Sequence, residues 1–323
     1  MEHATPNRPT TPKAAVGNRN QQLKTFANQT LSGWKKRKVT DGGDLWQLQW
    51  ENCVPGEVIG TGKDCAAVRK LRVNVPGMND RWYAVKMFSK KHMLDKEVEW
   101  VVHGKGLLSP VGVIPSSCTC GAKHAHAKHA RACVCMIGIH EQHFGLVMPL
   151  ADMGTLHDNR HHERFQTPKA QTTVISDITD GLQTLHDFGI VHMDLHSGNI
   201  VMLDKNNQNE NNRELHAGIV DMGQAQMTNT RTRNGRPMSP TRRGWRLNKY
   251  SQCPPEKYDA FTNVTSKMDI YALGSLAQSY FPNVGKSDES WQNLLVKAAS
   301  YDPSSRPSLK EFQVVLRKLR AKM

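Results

Sequence analysis

The sequence predicts an α+β fold, with strands gathered ahead of residue 150 and the longer helices after it. Three observations carry this. Short apolar, strand-like runs come early, at Gly56–Val68, Trp82–Phe88 and Phe144–Leu150. Helical spacing of apolar residues dominates later, in Val174, Ile175, Ile178, Leu182 and Leu185, and again in Phe312, Val315, Leu316 and Leu319. Strands followed by helices, rather than alternating with them, is the order of an α+β chain. The 323 residues leave room for one large two-lobed domain or two small ones.

Composition sets the outer limits. Hydrophobic residues make up 38% and aromatics 7%, so the core is lean and long polar insertions are expected to lie outside it. No run approaches the roughly 18 apolar residues of a membrane span, and the polar start Met1–Lys13 has no signal-peptide core. No membrane partner is expected. Seven Cys, four of them in two C-x-C pairs, fit reduced thiols or metal binding in an intracellular protein. The net charge of +14 admits nucleic-acid affinity, acidic substrates, or solubility alone.

Residues 1–44 are rich in Thr, Asn, Pro, Lys and Arg and are read as a disordered basic tail. Within them Lys35-Lys36-Arg37-Lys38 resembles a short nuclear-import signal, which leaves cytoplasmic and nuclear locations both open. In Gly56–Val68 the glycines Gly60 and Gly62 sit between two apolar runs, a strand–turn–strand in which backbone N–H groups could approach phosphates. An ordinary hairpin turn has the same look. Trp82–Phe88 is an apolar strand interrupted by Lys86, and a Lys in such a run is edge-facing or paired with an anion. The helix expected over His92–Leu108 offers Glu97 and Glu99 as that anion, and Glu97 fits better because apolar residues follow it by three and four positions.

Residues 115–143 carry Cys118, Cys120, Cys133 and Cys135 with five interspersed His. Two readings stand: a tetrahedral Zn²⁺ held by the four Cys or by mixed Cys and His, or an apolar strand through Cys133 and Cys135 beside a His-rich surface loop. Thr167-Pro168 is a cap followed by Pro in the first turn, and Gly189 closes the helix that begins there. The chain then reaches His192-Met193-Asp194-Leu195-His196-Ser197-Gly198-Asn199, and after an Asn-rich turn Ile219-Val220-Asp221-Met222-Gly223. An Asp and an Asn five positions apart, then an Asp on a Gly turn, is the layout of a phosphoryl-transfer site. One Asp orients a hydroxyl, while the Asn and the second Asp hold Mg²⁺ through hard oxygens.

At these residues the sequence resembles the protein kinase superfamily, whose catalytic loop reads H-R-D-L-x-x-x-N and whose metal turn reads D-F-G. Further landmarks follow in order. Gly60, Gly62 and, displaced by one, Val68 resemble the Gly-rich loop. Ala84-Val85-Lys86 resembles the strand whose Lys contacts ATP phosphates and a helix Glu, here Glu97. Met148 resembles the gatekeeper, with Ala151 in the hinge. Cys253-Pro254-Pro255-Glu256 resembles the A-P-E end of the activation segment, and Asp269 and Arg306 resemble its structural Asp and the Arg that pairs with that Glu.

The resemblance implies a bilobal protein kinase fold, with a small antiparallel β lobe carrying one helix and a larger, mainly helical lobe. The lobes would be 45–150, with the Cys/His-rich insertion at 115–132, and 151–323. It implies an ATP- and Mg²⁺-dependent enzyme with Asp194 as base, Lys86 and His196 as further catalytic residues, and Asn199 and Asp221 as Mg²⁺ ligands. Only 37 positions separate Asp269 from Arg306, which leaves room for one intervening helix where the family usually has two.

Departures from the family pattern qualify this. Met193 replaces the Arg that reads an activation-segment phosphate, which makes the chain non-RD in type. His196 replaces the Lys that steadies the γ-phosphate, Cys65 the third loop Gly, and Met222 the Phe of D-F-G. If His196 must be cationic, turnover should fall as pH rises through neutrality. Protein Ser/Thr kinase is the leading reading, and six Arg between Arg231 and Arg246 point to acidic or already phosphorylated protein substrates. A small-molecule kinase and a kinase-shaped scaffold for metal or nucleic acid are the alternatives. The compressed second lobe and divergent Gly loop resemble kinases of large DNA viruses or bacterial effectors.

Overall fold

A computed structural model describes residues 36–38, 44–48, 53–61, 67–74, 81–100, 105–108, 112–114, 144–151, 153–205, 214–230, 252–258 and 262–323. Two lobes follow one another along the chain. The first is a seven-stranded sheet of β1 (Lys36–Lys38), β2 (Asp44–Gln47), β3 (Cys53–Gly60), β4 (Ala67–Val73), β5 (Trp82–Phe88), β6 (Gly112–Ile114) and β7 (Phe144–Pro149), in the order β1-β2-β6-β7-β5-β4-β3. The pairings are antiparallel except β2 with β6, which run parallel through Trp46↔Gly112. β1 pairs with β2 within the stretch read as a disordered tail.

β5 is central, with β4 on one side and β7 on the other, and every residue after Trp82 in it is buried. A strand covered on both faces reads as a continuous apolar run, which is why Lys86 stands out. One face packs Leu71, Val73, Tyr83, Val85, Met87, Ile114 and Val147 together. The other receives α1 (Lys91–Val98) through Phe88, Leu94, Val98 and Leu146. α1 is shorter than the helix expected over His92–Leu108. Trp100 has left it to pack with Leu185, Ile190 and Ala225 of the second lobe, and Gly106 turns with φ +74°. A Cβ on Gly106 would lie 2.0 Å from the Asp177 carbonyl oxygen, so only Gly permits this approach.

The second lobe is built on α2 (Pro168–Asp187), α3 (Lys267–Tyr280), α4 (Glu289–Ala298) and α5 (Leu309–Ala321). Thr167 Oγ1 accepts the Ala170 N–H at the start of α2, Pro168 occupies its first turn, and Gly189 turns the chain just beyond it at φ +69°. Ser308 and Glu311 form a reciprocal capping box on α5. Between α3 and Arg306 lies only α4, as the short spacing requires. The core joins Val174, Ile178 and Leu182 to Leu273, Trp291 and Phe312, with Trp291 edge-on to Phe312 at 6.0 Å. Two small antiparallel pairs carry the site: β8 (Ile190–Val191) with β11 (Gln226–Met227), and β9 (Ile200–Lys205) with β10 (Glu214–Ile219). No described helix is long and apolar enough to cross a membrane.

Candidate active site

The site begins where β8 ends. Met193 has φ 69°, a left-handed backbone that costs a side-chain-bearing residue about 1–3 kcal/mol and persists only when its surroundings enforce it. Asp269, fully buried on α3, does the enforcing. Its Oδ2 accepts the His192 N–H at 2.8 Å and its Oδ1 the Met193 N–H at 3.0 Å, while His186 Nε2 lies 2.9 Å from Oδ2. Burial alone would raise the Asp269 carboxyl, but His186, His192 and the N–H donors hold it below the usual range. The Met193 side chain packs with Val191, Val264 and Met268, an apolar socket where an Arg would need an anion.

The loop then presents its polar groups. His192 Nδ1 accepts the Asp194 N–H at 3.2 Å, so Nε2 is the donor to the Val220 carbonyl at 3.0 Å. That bond ties the Asp194 loop to the Asp221 turn. Asn199 donates from Nδ2 to the Asp194 carbonyl at 2.9 Å, and its own carbonyl accepts the Val220 N–H at 3.0 Å. The Asp194 carboxylate is half-exposed. Two groups face it, His196 Nε2 at 3.9 Å and Lys257 Nζ at 3.5 Å.

Across the cleft, Lys86 is sandwiched by two carboxylates. Its Nζ bonds Glu97 Oε1 and lies 2.9 Å from Asp221 Oδ1. Burial works against the ammonium, yet Glu97 and Asp221 outweigh it and hold Lys86 firmly protonated. Burial likewise pushes the Glu97 carboxyl up, with Lys86 pulling against it. Asp221 moves the other way: despite burial, Lys86 and the Gly223 N–H keep it below the usual range. Asp221 sits at φ 67° and accepts the Gly223 N–H at 3.2 Å, and a Cβ on Gly223 would crowd both Asp221 Oδ1 at 3.1 Å and Glu97 Oε1 at 3.3 Å. Glu97, not Glu99, is therefore the partner of Lys86, and the Lys86–Asp221 contact joins the two lobes.

The remaining residues singled out in the sequence fall as follows. Gly60 ends β3, Val68 pairs with Lys86 across β4–β5, and Ala84 pairs with Met148 across β5–β7. Ala151 is half-buried just past β7. Gly62, Cys118, Cys120, Cys133 and Cys135 lie outside the described residues. Among those described, no group of three or more His, Cys, Asp and Glu is placed to hold a metal ion; Asp221 with Asn199 is one carboxylate and one amide.

His196 departs from the cationic role considered for it. Its Nδ1 accepts the Gly198 N–H at 3.1 Å, capping the 3₁₀ turn Ser197–Asn199, and burial chiefly holds its pKa below the ordinary value. The ring is partly exposed, and its lowered pKa together with the engaged Nδ1 favours the neutral form.

One residue escaped the sequence reading. Lys257, 6% exposed, follows Glu256 in the 3₁₀ turn Pro255–Tyr258 and donates to the Met193 carbonyl at 2.5 Å. Its neighbour Glu256 is clamped by Arg306 through two bonds, Nη1 to Oε1 at 2.5 Å and Nη2 to Oε2 at 2.9 Å, with both side chains buried. The signal was a lone Lys beside the A-P-E-like Glu, and nothing local says where it points.

A family model described as the protein kinase domain matches residues 56–283. The serine/threonine-protein kinase PkaB of Streptomyces coelicolor is 26% identical over 223 residues, 62% of this chain and 50% of that protein. The chain thus matches about half the length of this relative.

Proposed function

Because the chain belongs to the protein kinase family, we propose that it transfers the γ-phosphate of ATP to Ser or Thr hydroxyls of protein substrates. The observation that carries the proposal is the Glu97–Lys86–Asp221 contact, in which Lys86 and Glu97 are buried, together with the Asp194–Asn199 loop. A buried ammonium between two carboxylates is a costly arrangement for structure alone, and it gives a firmly charged group for polyphosphate oxygens.

The donor set suits Mg²⁺. Asn199 spends its amide donor on the Asp194 carbonyl, which leaves its side-chain oxygen as the ligand on offer. The Asp221 carboxyl, held below the usual range, stays ionised. A metal bound by Asn199 and Asp221 would neutralise phosphate charge. Lys86, aligned by Glu97, would bind the α- and β-phosphates, and the backbone near Gly60 and the residues Val68, Ala84, Met148 and Ala151 would enclose the base and ribose. Asp194 would take the acceptor's proton as the hydroxyl attacks. Met193 in its apolar socket offers no cation for a phosphorylated activation segment, so the loop needs no such phosphate to assemble.

Two buried contacts favour a protein acceptor over a small molecule. Asp269 on the catalytic-loop N–H groups and Glu256 with Arg306 are protein-kinase features by resemblance. The Ser/Thr choice leans on the Streptomyces relative, a serine/threonine-protein kinase. The Arg-rich segment 231–246 supports acidic or pre-phosphorylated substrates over nucleic acid, and the basic run Lys35–Lys38 supports nuclear entry.

The test is γ-phosphate transfer from Mg·ATP by the wild type and by Asp194→Asn to a mixture of acidic and basic proteins. Label on Ser or Thr that disappears in the variant is the expected result. Transfer only to a metabolite would replace the reading with a small-molecule kinase.

A further inference from the structure

The base side of the site lacks the Lys expected two residues after Asp194. His196 stands there, and its ring caps the Gly198 N–H. A different cation nevertheless reaches the same carboxylate. Lys257 Nζ lies 3.5 Å from Asp194 Oδ1 while donating to the Met193 carbonyl, and its side chain is 8% exposed. An ammonium withdrawn this far from water requires acceptors and a counter-charge, and the catalytic loop supplies both.

The delivery of that side chain is itself well anchored. The Lys257 N–H bonds the Pro254 carbonyl, and the adjacent Glu256 is held by both arms of the Arg306 fork. Arg306 is fixed in turn by the Ser300, Tyr301 and Lys267 carbonyls. A rigid bidentate pair one residue away leaves Lys257 little freedom to aim elsewhere.

The geometry points to Lys257 as a positioning residue that holds the Asp194 carboxylate and supplies, from the end of the activation segment, the positive charge missing at position 196. This rests on the reading of Asp194 as the base. A consequence is that seating the 254–258 turn and orienting the base are one event, since the same Lys contacts both Met193 and Asp194.

Steady-state kinetics of the full chain separate this from a merely structural tie. Lys257→Met is expected to lower kcat about tenfold or more, with KM for ATP within about twofold, because the loss falls on orientation of the base and not on nucleotide binding. Adding His196→Lys to Lys257→Met returns charge to the loop from another direction and is expected to restore much of kcat. Should Lys257→Met fold poorly, Lys257→Arg and Lys257→Gln carry the same test, with the charged variant active and the neutral donor not. A kcat unchanged in Lys257→Met overturns the inference. So does a loss that His196→Lys does not recover, or an equal loss in the Arg and Gln variants. A wild type that transfers no phosphate would instead overturn the functional reading beneath it.

Discussion

The two halves of the site are built differently. On the nucleotide side, Lys86, Glu97 and Asp221 match the kinase pattern residue for residue and form one charged triad between lobes, with Lys86 and Glu97 buried. On the acceptor side, Asp194 is half-exposed, its family cation is replaced by a neutral His196, and Lys257 approaches from a distant turn. On the proposed function, the Lys86 side would meet a nucleotide of fixed chemistry and its charges would tolerate little change, whereas the Asp194 side would need only an oriented carboxylate, which more than one scaffold can provide.

The largest effect should come from the triad. Lys86→Met or Asp221→Asn is expected to reduce transfer by about 10³-fold or more, since each removes charge aimed at the phosphates. Turnover assays on folded protein check this, and a loss of less than about tenfold would mean the triad is structural. Next is the clamp that seats Lys257. Arg306→Ala leaves Glu256 buried and unpaired and should cost about 3–5 kcal/mol of stability by denaturant unfolding. A cost under 1 kcal/mol would show that water reaches the pair.

Asp269 gives a smaller effect with a defined pH sign. Its folded pKa is depressed, so its contribution is complete above the unfolded value of about 3.9 and is lost as pH falls through the folded value below that. Asp269→Asn should cost about 1–3 kcal/mol at pH 7, where two loop N–H groups lose their ionised acceptor. The difference should shrink below about pH 4. A gap that persists undiminished at pH 3 would assign the loss to packing.

The smallest effect concerns His196. Because burial keeps its pKa below the ordinary value, the ring is neutral across pH 7–8 and should add no inflection to kcat there. A rate that halves over that interval in the wild type but not in His196→Lys would restore the cationic role.

What could be seen in the sequence follows from how local each constraint is. Glu97 was legible because the apolar Trp100 and Val101 follow it by three and four positions, and Asp269 and Arg306 because each lies in a dense motif. Thr167 announced a helix start through its cap. The early end of α1 and the close approach of Gly106 to the Asp177 carbonyl and Gly181 of α2 were not legible, because each depends on packing against the second lobe. The parallel β2–β6 pairing joins short segments with no alternating pattern. The protonation of His196 depends on burial by the fold, and Lys257 on a clamp formed 50 residues away in sequence.

On the proposed function, nucleotide binding and base catalysis are separable halves of one kinase site. Calorimetric titration of Asp194→Asn with Mg·ATP, with phosphate transfer measured on the same sample, separates them. The expected result is an affinity within about threefold of wild type together with transfer reduced by about 10²-fold or more. Loss of binding in this variant, or transfer that survives it, would contradict that separation.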